Sequence, residues 1–74
     1  MNSRESFIKA ELKRRGITYK GLAHRLHDQF GDRLEPDMIA QKLKRGLGEG
    51  TFLRWLEAIG CKPIEFDEHM RRNP

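Results

Sequence analysis

The chain has 74 residues, a net charge of +4 and a single cysteine, Cys61. A chain this short buries only about 60% of its unfolded surface, so it is predicted to form one domain around one core. An internal disulfide is excluded, no stretch approaches the roughly 20 apolar residues of a membrane span, and no apolar signal segment is present at the N-terminus. These features predict a protein of the cytoplasm that is neither exported nor embedded in a membrane.

Two helices with clear end signals are predicted in the first part of the chain. The first covers about residues 3–15 and ends at Gly16, a residue suited to a left-handed C-terminal cap. The second begins after Thr18, a favoured N-cap residue, and ends before Gly31. Its apolar stripe consists of Tyr19, Leu22, Ala23, Leu26 and Phe30.

Two further helices follow a turn at residues 32–34. Helix three is predicted to begin at Pro36, since proline is favoured at the first helical position, and to turn Ile39 and Leu43 inward. Helix four is the most apolar and is predicted to be capped by Thr51. No strand pattern or repeat is present, and these signals together predict an all-α fold.

The C-terminal part of the chain is predicted to contribute little to the domain. Ile64 and Phe66 are expected to anchor a short fifth turn or helix, so we assign residues 1–66 to the domain and residues 67–74 to a frayed tail. Trp55 has two interpretations: core packing, or part of a homodimer surface that includes Phe66 or Met70.

The positive charge is concentrated in the first third of the chain. Residues 1–26 hold seven Lys or Arg against two acidic residues, residues 27–46 hold four against four, and residues 47–74 hold four against five. Clustered cations suit a polyanionic partner, because each cation that meets a phosphate releases condensed counterions. The alternative is a solvated basic surface with no partner.

In this order, the motifs resemble the Cro and lambda-repressor-like helix-turn-helix domains of bacteria and phages. The resemblance covers about Ile8 to Ile64 and implies a compact four- to five-helix bundle that acts as a small transcriptional regulator. The chain departs from the family in residues 27–37, where the link between helices two and three is longer than the usual tight turn. The motifs are Thr18, Leu22-Ala23, Leu26, Leu43-Lys44-Arg45-Gly46 and the helix from Phe52 that ends in Ala58-Ile59-Gly60-Cys61.

The resemblance implies that helix three enters the major groove of double-stranded DNA and reads base edges. Gln41 suits adenine, and Lys42 or Arg45 suits guanine or phosphate. Asp37 either accepts a hydrogen bond from cytosine or lies outside the contact surface. The predicted base-contact residues are Asp37, Met38, Gln41, Lys42 and Arg45.

A second set of residues is predicted to grip DNA phosphates. The start of helix two presents backbone N–H groups and the positive end of the helix dipole, and cations at the end of helix one lie next to it in sequence. The loop before helix four is expected to contribute through its amides. The predicted phosphate-contact residues are Arg14, Arg15, Thr18, Tyr19, Lys20, Lys44 and Thr51.

Other kinds of site are not predicted. Gly48 and Gly50 lack the lysine and the preceding strand of a phosphate-binding loop, and His24 and His27 are read as a surface pair and not as metal ligands. No nucleophile, base and orienting residue form a set, so neither catalysis nor a cofactor is expected.

The sequence therefore predicts a sequence-specific DNA-binding regulator, with a homodimer as a further hypothesis. The alternative is a protein-interaction module that binds a component of the transcription machinery, with the acidic link at residues 28–37 keeping helix three away from DNA.

Overall fold

The computed structural model describes residues 3–72, which form five α-helices and no strand, with principal extents of 33 × 23 × 22 Å. This confirms the predicted all-α bundle. Within this range, no helix is both long and apolar enough to cross a bilayer. The helices are α1 (Arg4–Arg15), α2 (Tyr19–Phe30), α3 (Pro36–Arg45), α4 (Glu49–Ile59) and α5 (Pro63–Arg72).

The ends of α1 and α2 follow the sequence signals. The hydroxyl of Thr18 accepts a hydrogen bond from the Gly21 N–H at 3.0 Å, which caps the start of α2. Gly31 ends α2 at φ 72°, a left-handed conformation that costs other L-residues free energy. The predicted cap residues of α2 are thus confirmed.

The predicted start of α4 was wrong. The N-cap is Gly48, and Thr51 lies within the first turn instead of preceding it. The cause is the buried Leu47, whose N–H donates to Glu5 Oε2 at 2.7 Å and whose carbonyl accepts from Arg4 Nη1 at 3.2 Å. Because α1 fixes the chain at this point, the helix begins earlier than the cap preference of Thr51 indicates.

The core lies where α1 to α4 meet. Trp55 is 1% exposed, which confirms its core interpretation, whereas Leu53 of the same helix is 41% exposed. Phe30, predicted as the end of the α2 stripe, lies on the last turn of its helix and is 37% exposed. The largest fully buried side chains are Trp55, Ile8, Leu22, Leu26, Ile39 and Leu56.

An aromatic cluster attaches α5 to the bundle. The ring of Phe66 lies 5.1 Å from that of Phe7 and 4.8 Å from that of Phe52, both in edge-to-face geometry. Ile64 is exposed and is not the second anchor that the sequence suggested. α5 continues to Arg72, so the described part of the predicted frayed tail, residues 67–72, is helical. Residues 73 and 74 lie outside the described range.

Candidate nucleic-acid interface

The helix predicted to contact DNA bases presents its polar side chains to solvent. α3 is fixed by Ile39 and Leu43, which are fully or almost fully buried and leave the rest of its circumference outside the core. Residues four apart share a helix face, so the outward side chains form one continuous surface. All five predicted base-contact residues are exposed: Asp37, Met38, Gln41, Lys42 and Arg45.

The cations of α3 are free of internal partners. Lys42, Lys44 and Arg45 make no ion pair or side-chain hydrogen bond with any residue of the range 3–72. Cations in the last turn also complement the helix dipole, a stabilisation of about 0.3–1 kcal/mol at exposed sites. That contribution leaves their N–H donors unoccupied, so they remain available to a polyanion.

Five arginines, in contrast, are occupied by contacts within the fold. Their guanidinium groups contact backbone carbonyls, carboxylates or an aromatic ring. Four of them belong to the first third of the chain, which leaves that region with less available charge than its composition indicates. These arginines are Arg4, Arg14, Arg15, Arg25 and Arg54.

Two of the predicted phosphate contacts lie in this internal network. Arg14 donates to both carboxylate oxygens of Glu11 at 2.7 Å, and this hydrogen bonding holds the pKa of Glu11 below its ordinary value. Arg15 donates to the Ile59 carbonyl at 2.9 Å and lies 3.5 Å from Glu11 Oε1. Arg15 therefore ties the end of α1 to the end of α4, whose last carbonyls lack helical partners, whereas Arg14 pairs within α1.

The start of α2 contributes one available cation. The hydroxyl oxygen of Thr18 accepts the capping hydrogen bond and keeps its O–H donor, and Tyr19 is partly buried against the core. Lys20 is exposed and has no ion pair with another described residue. Of these three predicted phosphate contacts, Lys20 has the free charged side chain.

The link between α2 and α3, residues 31–35, is fixed to α4. Arg54 Nη1 donates to the two carboxylate oxygens of Asp32 at 3.0 and 3.1 Å, and its guanidinium lies 5.6 Å from the centre of the Phe30 ring. Leu34 packs against the core. The link is therefore held against the bundle and forms part of the surface beside α3.

Clefts lie on both sides of this link. The larger, of about 520 Å³, runs between α2 and the link and is lined by Lys20, His24, His27 and Arg33 among others. His24 Nε2 lies 3.1 Å from Asp28 Oδ2, and no described group of three or more His, Cys, Asp or Glu is placed to hold a metal ion. The smaller cleft, of about 180 Å³, lies between the link, α3 and α4.

Arg33 and Arg54 were missed by the sequence reasoning. Both lie in regions of mixed charge. Nothing in the residue pattern indicates that Arg54 holds the link through Asp32 or that Arg33 lines the clefts beside it. The distinction depends on the path of the link across α4.

Comparisons with known proteins give a family and no function. Neither the curated proteins nor the solved structures include a significant match to the chain. One family model, described as a domain of unknown function (DUF6471), matches residues 3–64, which is more than half of the sequence. The chain therefore belongs to the DUF6471 family.

Proposed function

We propose that this domain is a DNA-binding transcriptional regulator of the Cro and lambda-repressor-like type, which acts in the cytoplasm and places α3 in the major groove. One observation supports this above the others. The outward face of α3 combines Gln41 with Lys42, Lys44 and Arg45, three cations that have no partner within residues 3–72. The same fold occupies most of its other helical arginines internally.

The size and chemistry of α3 suit the major groove. Its 10 residues span about 15 Å, and the groove is about 12 Å wide and admits one α-helix. Gln41 matches the N6 and N7 atoms of adenine, and Lys42 and Arg45 match either the O6 and N7 atoms of guanine at a preferred site or phosphates on other sequences. Lys44 and Lys20 are left to contact phosphates, which fixes the position of the helix without reading sequence.

The fixed link supports the same proposal. A recognition helix needs a rigid base, because a displacement of its side chains weakens hydrogen bonds to base edges. The pairing of Asp32 with Arg54 and the packing of Leu34 hold the segment that leads into α3. In this proposal, the link holds α3 in place, as the tight turn does in the Cro and lambda-repressor-like domains.

We further propose that the domain binds paired half-sites as a homodimer. The surface available for this is smaller than the sequence suggested, because Trp55 and Phe52 are buried in the core. Leu53 and Ile64 remain as exposed apolar side chains. Sedimentation equilibrium across a range of protein concentrations tests this, and a monomer at every concentration would contradict it.

A pair of double variants tests the DNA-binding proposal. Lys42→Gln with Arg45→Gln removes two charges from α3, and Lys62→Gln with Arg72→Gln removes two exposed charges elsewhere. Each lost phosphate contact lowers the slope of log affinity against log salt by about 0.9. We expect the α3 pair to lose affinity and to show a reduced slope in fluorescence anisotropy, and the control pair to match the wild type.

Equal behaviour of the two pairs would contradict the proposal. If the wild type binds no duplex even at low salt, the alternative of a module that binds a transcription protein takes its place. The observation that favours this alternative is at the start of α3, where Met38 is 42% exposed beside Asp37, an acidic residue with no ion pair in the described range.

A further inference from the structure

The smaller of the two clefts beside the link, named here the link cleft, has a lining rich in hydrogen-bond donors. It has a volume of about 180 Å³ and lies where the link, α3 and α4 meet. It is lined by Asp32, Arg33, Leu34, Lys42, Thr51, Arg54 and Trp55.

The charge of the link cleft is positive. Arg33, Lys42 and Arg54 supply three cations, and Asp32 supplies the one carboxylate of the lining. Both oxygens of that carboxylate already accept from Arg54, so Arg33 and Lys42 remain uncompensated. Thr51 adds a hydroxyl in the first turn of α4, where unpaired backbone N–H groups and the helix dipole favour an anion.

The indole of Trp55 adds a further hydrogen-bond donor beside the link cleft. Trp55 is 1% exposed, and its Nε1, the one polar atom of the side chain, has no hydrogen-bond partner among residues 3–72. Within that range, Arg15 Nε is the buried side-chain atom that lacks a partner, so Nε1 of Trp55 keeps some access to solvent. Trp55 lines the link cleft, which is an opening to solvent. Because Nε1 reaches solvent, water can accept its hydrogen bond when no ligand is present, and a ligand oxygen in the cleft would replace that water.

We propose that the link cleft binds a phosphate group, held by Arg33 and Lys42 and by the hydroxyl of Thr51 and the indole N–H of Trp55. A phosphate offers acceptor oxygens in several directions, which matches donors that converge from the link, α3 and α4. The volume suits a single phosphate-sized group more than a whole nucleotide, since pockets for larger ligands span about 300–1,000 Å³.

Two sources of that group have the same chemistry. One is a backbone phosphate of DNA whose groove holds α3, since Lys42 belongs to both surfaces. This source rests on the proposed function. The other is a free phosphate or a small phosphorylated molecule, which would bind whether or not the domain contacts DNA.

The single tryptophan makes the test specific, because the spectrum of the chain contains one indole N–H signal. We would record the ¹H–¹⁵N cross-peak of Trp55 in the full chain during titration with inorganic phosphate and, separately, with a short DNA duplex. Chloride keeps the ionic strength constant. A saturable shift of this cross-peak is the expected result.

Arg33→Gln is the variant that tests the assignment. Arg33 is exposed and has no internal partner within residues 3–72, so its replacement should leave the fold intact, as the remaining amide spectrum would show. We expect Arg33→Gln to weaken the response of the Trp55 signal at least tenfold. Lys62→Gln removes the same charge at a distant exposed position and should leave the response unchanged.

The outcomes separate the two sources and the two proposals. A shift with the duplex alone assigns the site to a DNA phosphate, and a shift with inorganic phosphate in a protein that binds no DNA supports the site and contradicts the proposed function. No shift with either probe beyond that with chloride, or an unchanged response in Arg33→Gln, overturns the inference. If anisotropy shows DNA binding but the Trp55 cross-peak does not shift, the proposed function stands and the proposal that the link cleft binds phosphate is contradicted.

Discussion

Replacement of Arg15 by glutamine should destabilise the fold without affecting DNA binding. Arg15 was predicted from the sequence as a phosphate contact, but its guanidinium donates to the Ile59 carbonyl at 2.9 Å and its side chain is 25% exposed. If this contact holds α1 against the end of α4, its loss lowers the free energy of unfolding. If Arg15 instead binds phosphate, its loss lowers DNA affinity and reduces the salt slope by about one.

The magnitude follows from the contacts that are lost and kept. A hydrogen bond from a charged donor contributes about 1.5–3 kcal/mol. Two features reduce the net loss: Glu11 keeps its two hydrogen bonds from Arg14, and the buried Arg15 Nε, which has no partner within the described range, is removed with the side chain. We therefore expect a destabilisation of about 1–2 kcal/mol, or about 4–16 °C in Tm for a domain of this size.

Thermal and urea denaturation of Arg15→Gln measure this, with Lys13→Gln as the control. Lys13 is exposed on the same helix and has no ion pair with another described residue, so its replacement changes the charge equally without removing a contact. A Tm for Arg15→Gln equal to that of Lys13→Gln would refute the reasoning.

Three further predictions concern pH, thiol reactivity and DNA affinity. The hydrogen bonds from Arg14 lower the pKa of Glu11, so its ionised carboxylate stabilises the fold fully above the ordinary pKa of 4.5, and this stabilisation is lost as pH falls through the folded-state pKa. Urea denaturation across this pH range should therefore show a weaker pH dependence in Glu11→Gln than in the wild type. Burial raises the pKa of Cys61 to about 12, so the folded protein should react with a thiol-specific disulfide reagent at pH 8 far more slowly than the urea-unfolded chain, and equal rates would contradict this. Asp37→Asn should raise the affinity for random duplexes in anisotropy because a charge that repels phosphate is removed, whereas a loss confined to one preferred sequence would show that Asp37 reads a cytosine.

The parts of the fold that depend on local chemistry were predictable from the sequence. Thr18 and Gly31 specify the ends of α2 through groups within a few residues, and both were identified correctly. The start of α4 was not, because it depends on Leu47, which is held by Glu5 across 42 residues of sequence. Thr51 is a good cap residue in isolation, and the contact with α1 outweighs that preference.

The candidate site also has a part that the sequence predicts and a part that it does not. Helical spacing identified the exposed face of α3, because the buried Ile39 and Leu43 determine which residues point outward. The roles of the arginines could not be predicted, since Arg15 and Arg33 differ only in what the fold brings near them: the carbonyl end of α4 in one case and an open cleft in the other.

The measurement that tests the central claim most directly is binding of the wild-type chain to a pool of random DNA duplexes, with fluorescence anisotropy as the readout, at salt concentrations from about 50 to 200 mM. On random sequences Lys42 and Arg45 are expected to contact phosphates instead of bases, so the three unpaired cations of α3 and Lys20 would make up to four phosphate contacts. The slope of log affinity against log salt should then reach about −3.6, at about 0.9 for each contact. Binding that is absent at 50 mM salt, or that does not weaken as salt increases, would contradict the proposal that α3 binds DNA.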